Sequence, residues 1–157
     1  MATIDSPMAG KVLEINVAVG DTIAEDDEIM VLEAMKMENP VFADVGGVVK
    51  EIKVKAGQTV NLTLKHVGQM DKKVMGHNFV LLKKGTDLSA FGEAAVAAGP
   101  ANEYIPNGGA DVIAHTKLIG GGESDTISFK APEAGTYDFI CSFPGHLALM
   151  KGTFIVE

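Results

Sequence analysis

Apolar residues in this chain come in short runs of five to eight residues, alternating or β-branched, each closed by a glycine-bearing or polar turn. Runs that short do not supply the repeating stripe of a core helix, whereas side chains on alternate faces of an extended backbone suit a half-buried strand. They fall at 11–17, 28–32, 48–54, 59–64 and 78–82, then at 112–116, 125–129, 135–142 and 152–156. Eighteen glycines and six prolines in 157 residues supply the breaks between them, so the expected class is all-β. One stretch departs from the pattern. Residues 89–98 are Ala-rich, follow Thr86-Asp87 and stop at Gly99-Pro100, which predicts a short helix packed as a flap between strands.

An internal repeat sets residues 9–23 against 46–60: the Gly, Val, Glu, Ile, Val, Gly and Thr positions coincide. A strand, a Gly-x-Thr turn and a second strand in each copy would make two interlocking hairpin units. After Ile23 the first copy continues through a polar loop, Ala24-Glu-Asp-Asp-Glu28, whereas Val60 runs straight into Asn61-Leu-Thr-Leu-Lys65. The charge also shifts there, with 11 acidic and 5 basic residues up to position 60 and 10 and 8 beyond it. The expected division is therefore a segment over 1–60 and a domain over 61–157. Gly57-Gln58-Thr59-Val60 belongs to both neighbours, so they are fused inside a strand and not joined by a linker.

Composition narrows the function. Thirteen basic residues, every one Lys, face 21 acidic ones for a formal charge of −8, a poor balance for clamping phosphates, so no nucleic-acid partner is expected. No apolar run is long enough to insert in a membrane. A single Cys excludes a disulfide framework. The N-terminal Met-Ala-Thr-Ile-Asp-Ser lacks the basic region and apolar stretch of a secretory signal.

That Cys opens the run Cys141-Ser-Phe-Pro-Gly-His-Leu-Ala-Leu-Met150, which places a thiol, an imidazole and a thioether on one short loop. Taken singly, such a Cys is commonly a buried small hydrophobe, Met150 core filler and Phe143 packing. Together they suit a soft metal, and two His, one Cys and a weak axial Met form the blue-copper donor set, although zinc accepts the same ligands. A second imidazole is offered by His77 in Met75-Gly-His-Asn-Phe79, which a β-sandwich could bring beside the loop.

Residues 74–80 and 141–152, with 59–68, 112–120 and 123–129 around them, resemble the azurins, blue-copper proteins of the cupredoxin family. The resemblance implies a Greek-key sandwich and a type 1 copper site cycling between Cu(I) and Cu(II). Its ligands would be His77, Cys141 and His146, with Met150 as a long axial contact and the Gly76 carbonyl opposite. Asn78 would brace the ligand loops, with Phe143 packed beside them. A closed ligand shell leaves no place for substrate, so the implied role is outer-sphere electron transfer through the His146 edge, not catalysis. Redox proteins would dock on an apolar patch of Met75, Phe143, Pro144, Gly145, Leu147 and Ala148. His115 reads as a surface or structural histidine and His66 as a non-ligand.

The N-terminal third carries Val31-Leu-Glu-Ala-Met-Lys-Met-Glu-Asn-Pro40, with Ser6-Pro-Met-Ala-Gly10 and Gly46-Gly47 on either side. These residues resemble the biotinyl domain of biotin carboxyl carrier proteins, implying a β hairpin repeat that exposes Lys36 as a biotin acceptor recognised by a biotin ligase. Read alone, Lys36 is an ordinary solvated turn lysine. The likeness stops before the last carrier strand, and the azurin likeness lacks its two opening strands and their disulfide. Two incomplete patterns meeting at Gly57-Gln-Thr-Val60 read as a chimera, natural or engineered, in which carrier strands replace the missing cupredoxin strands. A recombinant made to study folding is a third reading. The compartments conflict, periplasmic for the azurin part and cytoplasmic for the carrier part, and exposed strand edges leave room for a dimer.

Overall fold

The computed structural model describes every residue except Met1 and Ala9, and every side chain in its strands except that of Val54. The first residue of the repeat, Ala9, thus lies outside the described residues. Twelve strands form among them: β1 Lys11–Ile15, β2 Thr22–Ile23, β3 Glu28–Ala34, β4 Met37–Phe42, β5 Gly47–Val48, β6 Lys53–Val54, β7 Thr59–Lys65, β8 Val80–Leu82, β9 Val112–His115, β10 Ser124–Lys130, β11 Gly135–Ile140 and β12 Lys151–Val156. Two helices interrupt them, α1 Lys72–Met75 and α2 Leu88–Ala98. The architecture is all-β, a sandwich with a short helical flap and open sheets.

The larger body packs a five-stranded sheet, ordered β6-β12-β11-β8-β9, against the antiparallel pair β10-β7. Strand β10 alternates strictly between exposed and half-buried residues, and its inward Ile127 and Phe129 meet Phe79, Leu81, Tyr137 and Val156 from the facing sheet. Helix α2 begins where the Asp87 carboxylate accepts the Ala90 N–H at 2.8 Å and ends at Gly99, a side-chain cap and a left-handed stop. Its Phe91 and Ala95 cover Val80, Leu82 and Ile140, closing the sheet face that β7 and β10 leave open.

The smaller body is the sheet β1-β3-β4 with the two-stranded β2-β5 beside it, around a core of Ile29, Leu32, Val41 and Ala43. The pairing of Thr22 with Val48 and Ile23 with Gly47 joins the end of the first repeat copy to the start of the second. Between β3 and β4 the chain turns on Met35 and Lys36, both left-handed at φ 53° and 62°. A two-residue turn with both positions in that region matches the twist of the strands it joins, so Lys36 stands at the tip of a tight hairpin.

Several expectations shift in detail. The run at 48–54 splits into β5 and β6, because its first end pairs with β2 and its last runs parallel to β12. Strand β4 went unpredicted because it contains Pro40, which an edge strand tolerates since one side of its ladder is unpaired. Strand β7 serves both bodies in different ways. All seven of its residues register against β10, while its Asn61 side-chain amide donates to the Val12 carbonyl of β1 at 3.0 Å.

Leu32 and Leu81 are 1% and 0% exposed, and their clusters share no member. Leu32→Ala and Leu81→Ala should each lower the unfolding free energy by about 2–5 kcal/mol in urea titrations. The double variant should lose their sum to within about 0.5 kcal/mol.

Candidate metal centre

His77 is placed from three sides. Helix α1 starts where the Asp71 carboxylate accepts the Lys73 N–H at 2.8 Å and ends one residue before the close approach at Gly76. There a Cβ would lie 2.5 Å from the Lys72 carbonyl oxygen and 2.9 Å from the Phe143 ring, so only glycine fits. His77 then pairs with Ile119 through two backbone hydrogen bonds of 3.0 and 2.9 Å.

Buried Asn78 comes next. Its Oδ1 accepts the Ser142 N–H at 2.9 Å, and its Nδ2 donates to Ser142 Oγ at 2.8 Å and to the Glu103 carbonyl at 3.1 Å. Behind it the Phe79 N–H donates to Thr116 Oγ1 at 3.0 Å and the Thr116 N–H to the Phe79 carbonyl at 3.0 Å. The 141–150 loop folds back on itself. Cys141 N–H donates to the Met150 carbonyl at 2.9 Å, His146 N–H to Phe143 at 3.0 Å, and Met150 N–H to His146 at 2.7 Å.

The two segments bring His77, Cys141 and His146 together, with one donor atom of each within 4.8 Å of the others. The sulfur lies 3.7 Å from His77 Nδ1 and 3.5 Å from His146 Nδ1. With metal–sulfur and metal–nitrogen bonds of about 2.3 and 2.05 Å, a sulfur and a nitrogen at 110–120° stand roughly 3.6–3.8 Å apart, so both sulfur–nitrogen separations are close to those of a shared ion. Two imidazoles and one thiol are also a donor set that copper accepts in either oxidation state. The residues present fit a copper ion.

Electrostatics agree with the burial. His77 is pushed below the usual histidine range by burial and then by the neighbouring His146 and His66 rings, and His146 by burial alone. Cys141, 5% exposed, is pushed up by burial, partly offset by the N–H groups of Asn78 and Phe143. All three shifts favour the neutral forms, imidazole and thiol.

The remaining sequence-predicted residues are spread around this triangle. The Gly76 carbonyl oxygen is 4.0 Å from the sulfur, in the buried wall. Met150 is held by its backbone and is 43% exposed. Phe143 is buried with its ring 4.8 Å from that of His146. Met75, Gly145 and Ala148 are exposed and Pro144 is half-buried. Leu147 turns inward against Gly92 of α2. Lys36 belongs to the smaller body, on the β3–β4 turn.

His115 points Nδ1 at the Thr116 carbonyl, 2.9 Å away, outside the triangle. His66 is buried with its ring 4.6 Å from His77. Its Nδ1 accepts from the Gly68 N–H and its Nε2 donates to the Met75 carbonyl, both at 3.0 Å, which fixes a neutral tautomer. Ser142, Thr116, Ile119 and Glu103 support the ligand segments without having been foreseen. Loop and turn residues of these types carry no signal of that role until the fold sets them opposite their partners.

Residues 45–157 match the family model described as copper binding proteins, plastocyanin/azurin family. The chain belongs to that family. It is 51% identical over 98 residues to azurin from Bordetella pertussis, covering 60% of this chain and 63% of that azurin, so it spans less than two thirds of that relative's length. Azurin-2 from Alcaligenes xylosoxydans xylosoxydans is 50% identical over 109 residues, 67% of this chain and 84% of that protein. Two solved auracyanins share the family fold. The one from Roseiflexus castenholzii has a TM-score of 0.60 at 40% identity, covering 68% of this chain and 82% of its own. Auracyanin A from Chloroflexus aurantiacus, described as a "blue" copper protein, has a TM-score of 0.59 at 38% identity, covering 68% and 84%. Residues 2–63 match a second family model, biotin-requiring enzyme, so 45–63 fall under both.

The shifted groups set a window for the metal-free protein. Histidines lowered from 6.5 contribute stability above that value and lose it as pH falls through their folded values. The thiol, raised from 9.0, contributes below that value and loses it as pH rises through its folded value. Urea midpoints should therefore be highest between 6.5 and 9.0, and Cys141→Ser should flatten the alkaline limb.

Proposed function

We propose that this chain is a type 1 blue-copper electron carrier and not an enzyme. His77, Cys141 and His146 would hold the ion, with Met150 and the Gly76 carbonyl as weaker donors. The observation that carries this reading is the donor triangle, with one buried sulfur 3.7 and 3.5 Å from two imidazole nitrogens. Bound copper supplies a one-electron couple.

The chain's own residues do the rest. Asn78 and Ser142 fix the distance between the two ligand segments, and the His77–Ile119 bridge fixes the backbone that carries the first imidazole. A shell that does not rearrange between oxidation states lowers the barrier to transfer. Both imidazoles turn Nδ1 toward the sulfur, and half-buried His146 lies between exposed Gly145 and half-buried Leu147, so its ring edge is the exit for the electron. Exposed Met75, Gly145 and Ala148 with half-buried Pro144 form the patch for a redox partner. This reading sets the working compartment in the periplasm and treats 61–157 as the copper domain and 1–60 as the carrier-like segment.

Titration of the reduced, metal-free protein with Cu(II) should give an intense copper–thiolate band that saturates at one equivalent and is abolished in Cys141→Ser. Absence of the band in the wild type, or its persistence in the variant, contradicts the assignment.

A second reading, a biotin carrier with biotin amide-linked to Lys36, is favoured by the tight turn that presents this lysine between Met35, 93% exposed, and Met37, 62% exposed. The match of residues 2–63 to the biotin-requiring family supports it. Coexpression with a biotin ligase should then add the mass of one biotin, lost in Lys36→Ala, and an unmodified wild type contradicts it.

A further inference from the structure

Two consecutive residues that carry side chains, Glu103 and Tyr104, hold left-handed backbone at φ 53° and 59°. A Cβ disfavours that conformation, which persists only where the surroundings over-determine it. They sit at the exit of the flap, after α2 stops at Gly99 and the chain makes one 3-10 turn over Pro100–Asn102. The turn is closed without either side chain of the pair: Glu103 N–H donates to the Pro100 carbonyl at 3.1 Å, Tyr104 N–H to the Gly99 carbonyl at 3.0 Å and the Asn102 side-chain amide to the Ala98 carbonyl at 2.9 Å. Glycine would make the same turn without strain, so the turn itself does not explain why side chains occupy it.

What the pair touches does explain it. The Glu103 carbonyl accepts Asn78 Nδ2 at 3.1 Å, and the Glu103 carboxylate accepts the Leu118 N–H at 3.3 Å. The Tyr104 ring meets Phe143 edge-on, with centroids 5.4 Å apart at 72°. Asn78 follows His77. Leu118 precedes Ile119, whose backbone bridges His77. Phe143 lies between Cys141 and His146, with its ring 4.8 Å from that of His146. One dipeptide thus grips the chain beside each of the three ligands while itself standing outside the donor triangle.

We infer that Glu103 and Tyr104 are positioning residues of the metal centre, holding the His77, Leu118–Ile119 and 141–146 segments in register from behind. This rests on reading His77, Cys141 and His146 as the copper ligands. The strained turn places a carbonyl, a carboxylate and an aromatic edge within the span of two residues.

The test is amide hydrogen exchange on metal-free protein with the double variant Glu103→Gly/Tyr104→Leu. Glycine keeps the left-handed turn and the carbonyl but removes the carboxylate, and leucine removes the aromatic edge. Exchange at Leu118 and Ser142 should quicken by about tenfold while Tyr137 and Phe154 in the β11–β12 ladder stay protected, the mark of a local opening. Ser142 is decisive, because its partner Asn78 is not substituted. Glu103→Gln, which keeps an acceptor, and Tyr104→Phe, which keeps the ring, should both behave as wild type. With copper added, the double variant should bind it with a shifted copper–thiolate band and slower electron self-exchange.

Unchanged exchange at Ser142, or an equal loss of protection in every strand, overturns the inference. Should the double variant fail to fold, Glu103→Gly alone decides by the same criterion, since it relieves strain. A wild type without the copper–thiolate band counts against the reading of the ligands, whereas the exchange comparison is made without metal and reports on the turn by itself.

Discussion

Asn78 and Ser142 are 64 residues apart in the chain and joined in the interior by three hydrogen bonds among their side chains and the Ser142 backbone. A buried amide left without partners would cost about 1–3 kcal/mol, so the folded state is held to the one register in which all are made. That register sets His77 and Cys141 side by side. Cys141, the Phe143 wall and the His146 edge follow from the backbone bonds within the loop that begins there. The donor triangle is therefore a consequence of polar satisfaction in the fold and not of attraction between ligands, which as neutral imidazoles and a buried thiol have little pull on one another.

The chain that leads out of the smaller body completes the same frame with β6 and β7. Strand β6 adds a parallel edge to β12, the strand that the ligand loop leads into, and β7 makes the whole of the ladder with β10. Without these two strands the sandwich would lose one face of its core and expose the edges of β10 and β12. Asn61 of β7 reaches across to Val12 of β1, so the two bodies meet at a strand instead of a tether. The overlap of the two family matches over 45–63 falls on these strands.

Much of this was legible in the sequence, for identifiable reasons. Alternation in β10, short β-branched runs and glycine-closed turns marked most strands, and an Ala-rich stretch between Asp87 and Gly99 marked α2 within a residue. The ligand loop was legible because thiol, imidazole and thioether crowd into ten residues. Strand β4 was not, since Pro40 reads as a breaker until its edge position is known. The division of 48–54 depended on two partners distant in sequence, which local pattern cannot report. Nothing local distinguishes Glu103 and Tyr104 from other loop residues either, because their role depends on contacts across 25 and 39 positions of chain.

On these contacts the fold prepares the ligand shell before any metal arrives. Crystal structures of the metal-free and Cu(II)-loaded protein test it most directly. His77, Cys141 and His146 should keep their rotamers and mutual spacing in both, with the ion held within the existing triangle. A metal-free structure with either imidazole swung away from the sulfur, or an ion bound outside the triangle, would contradict it.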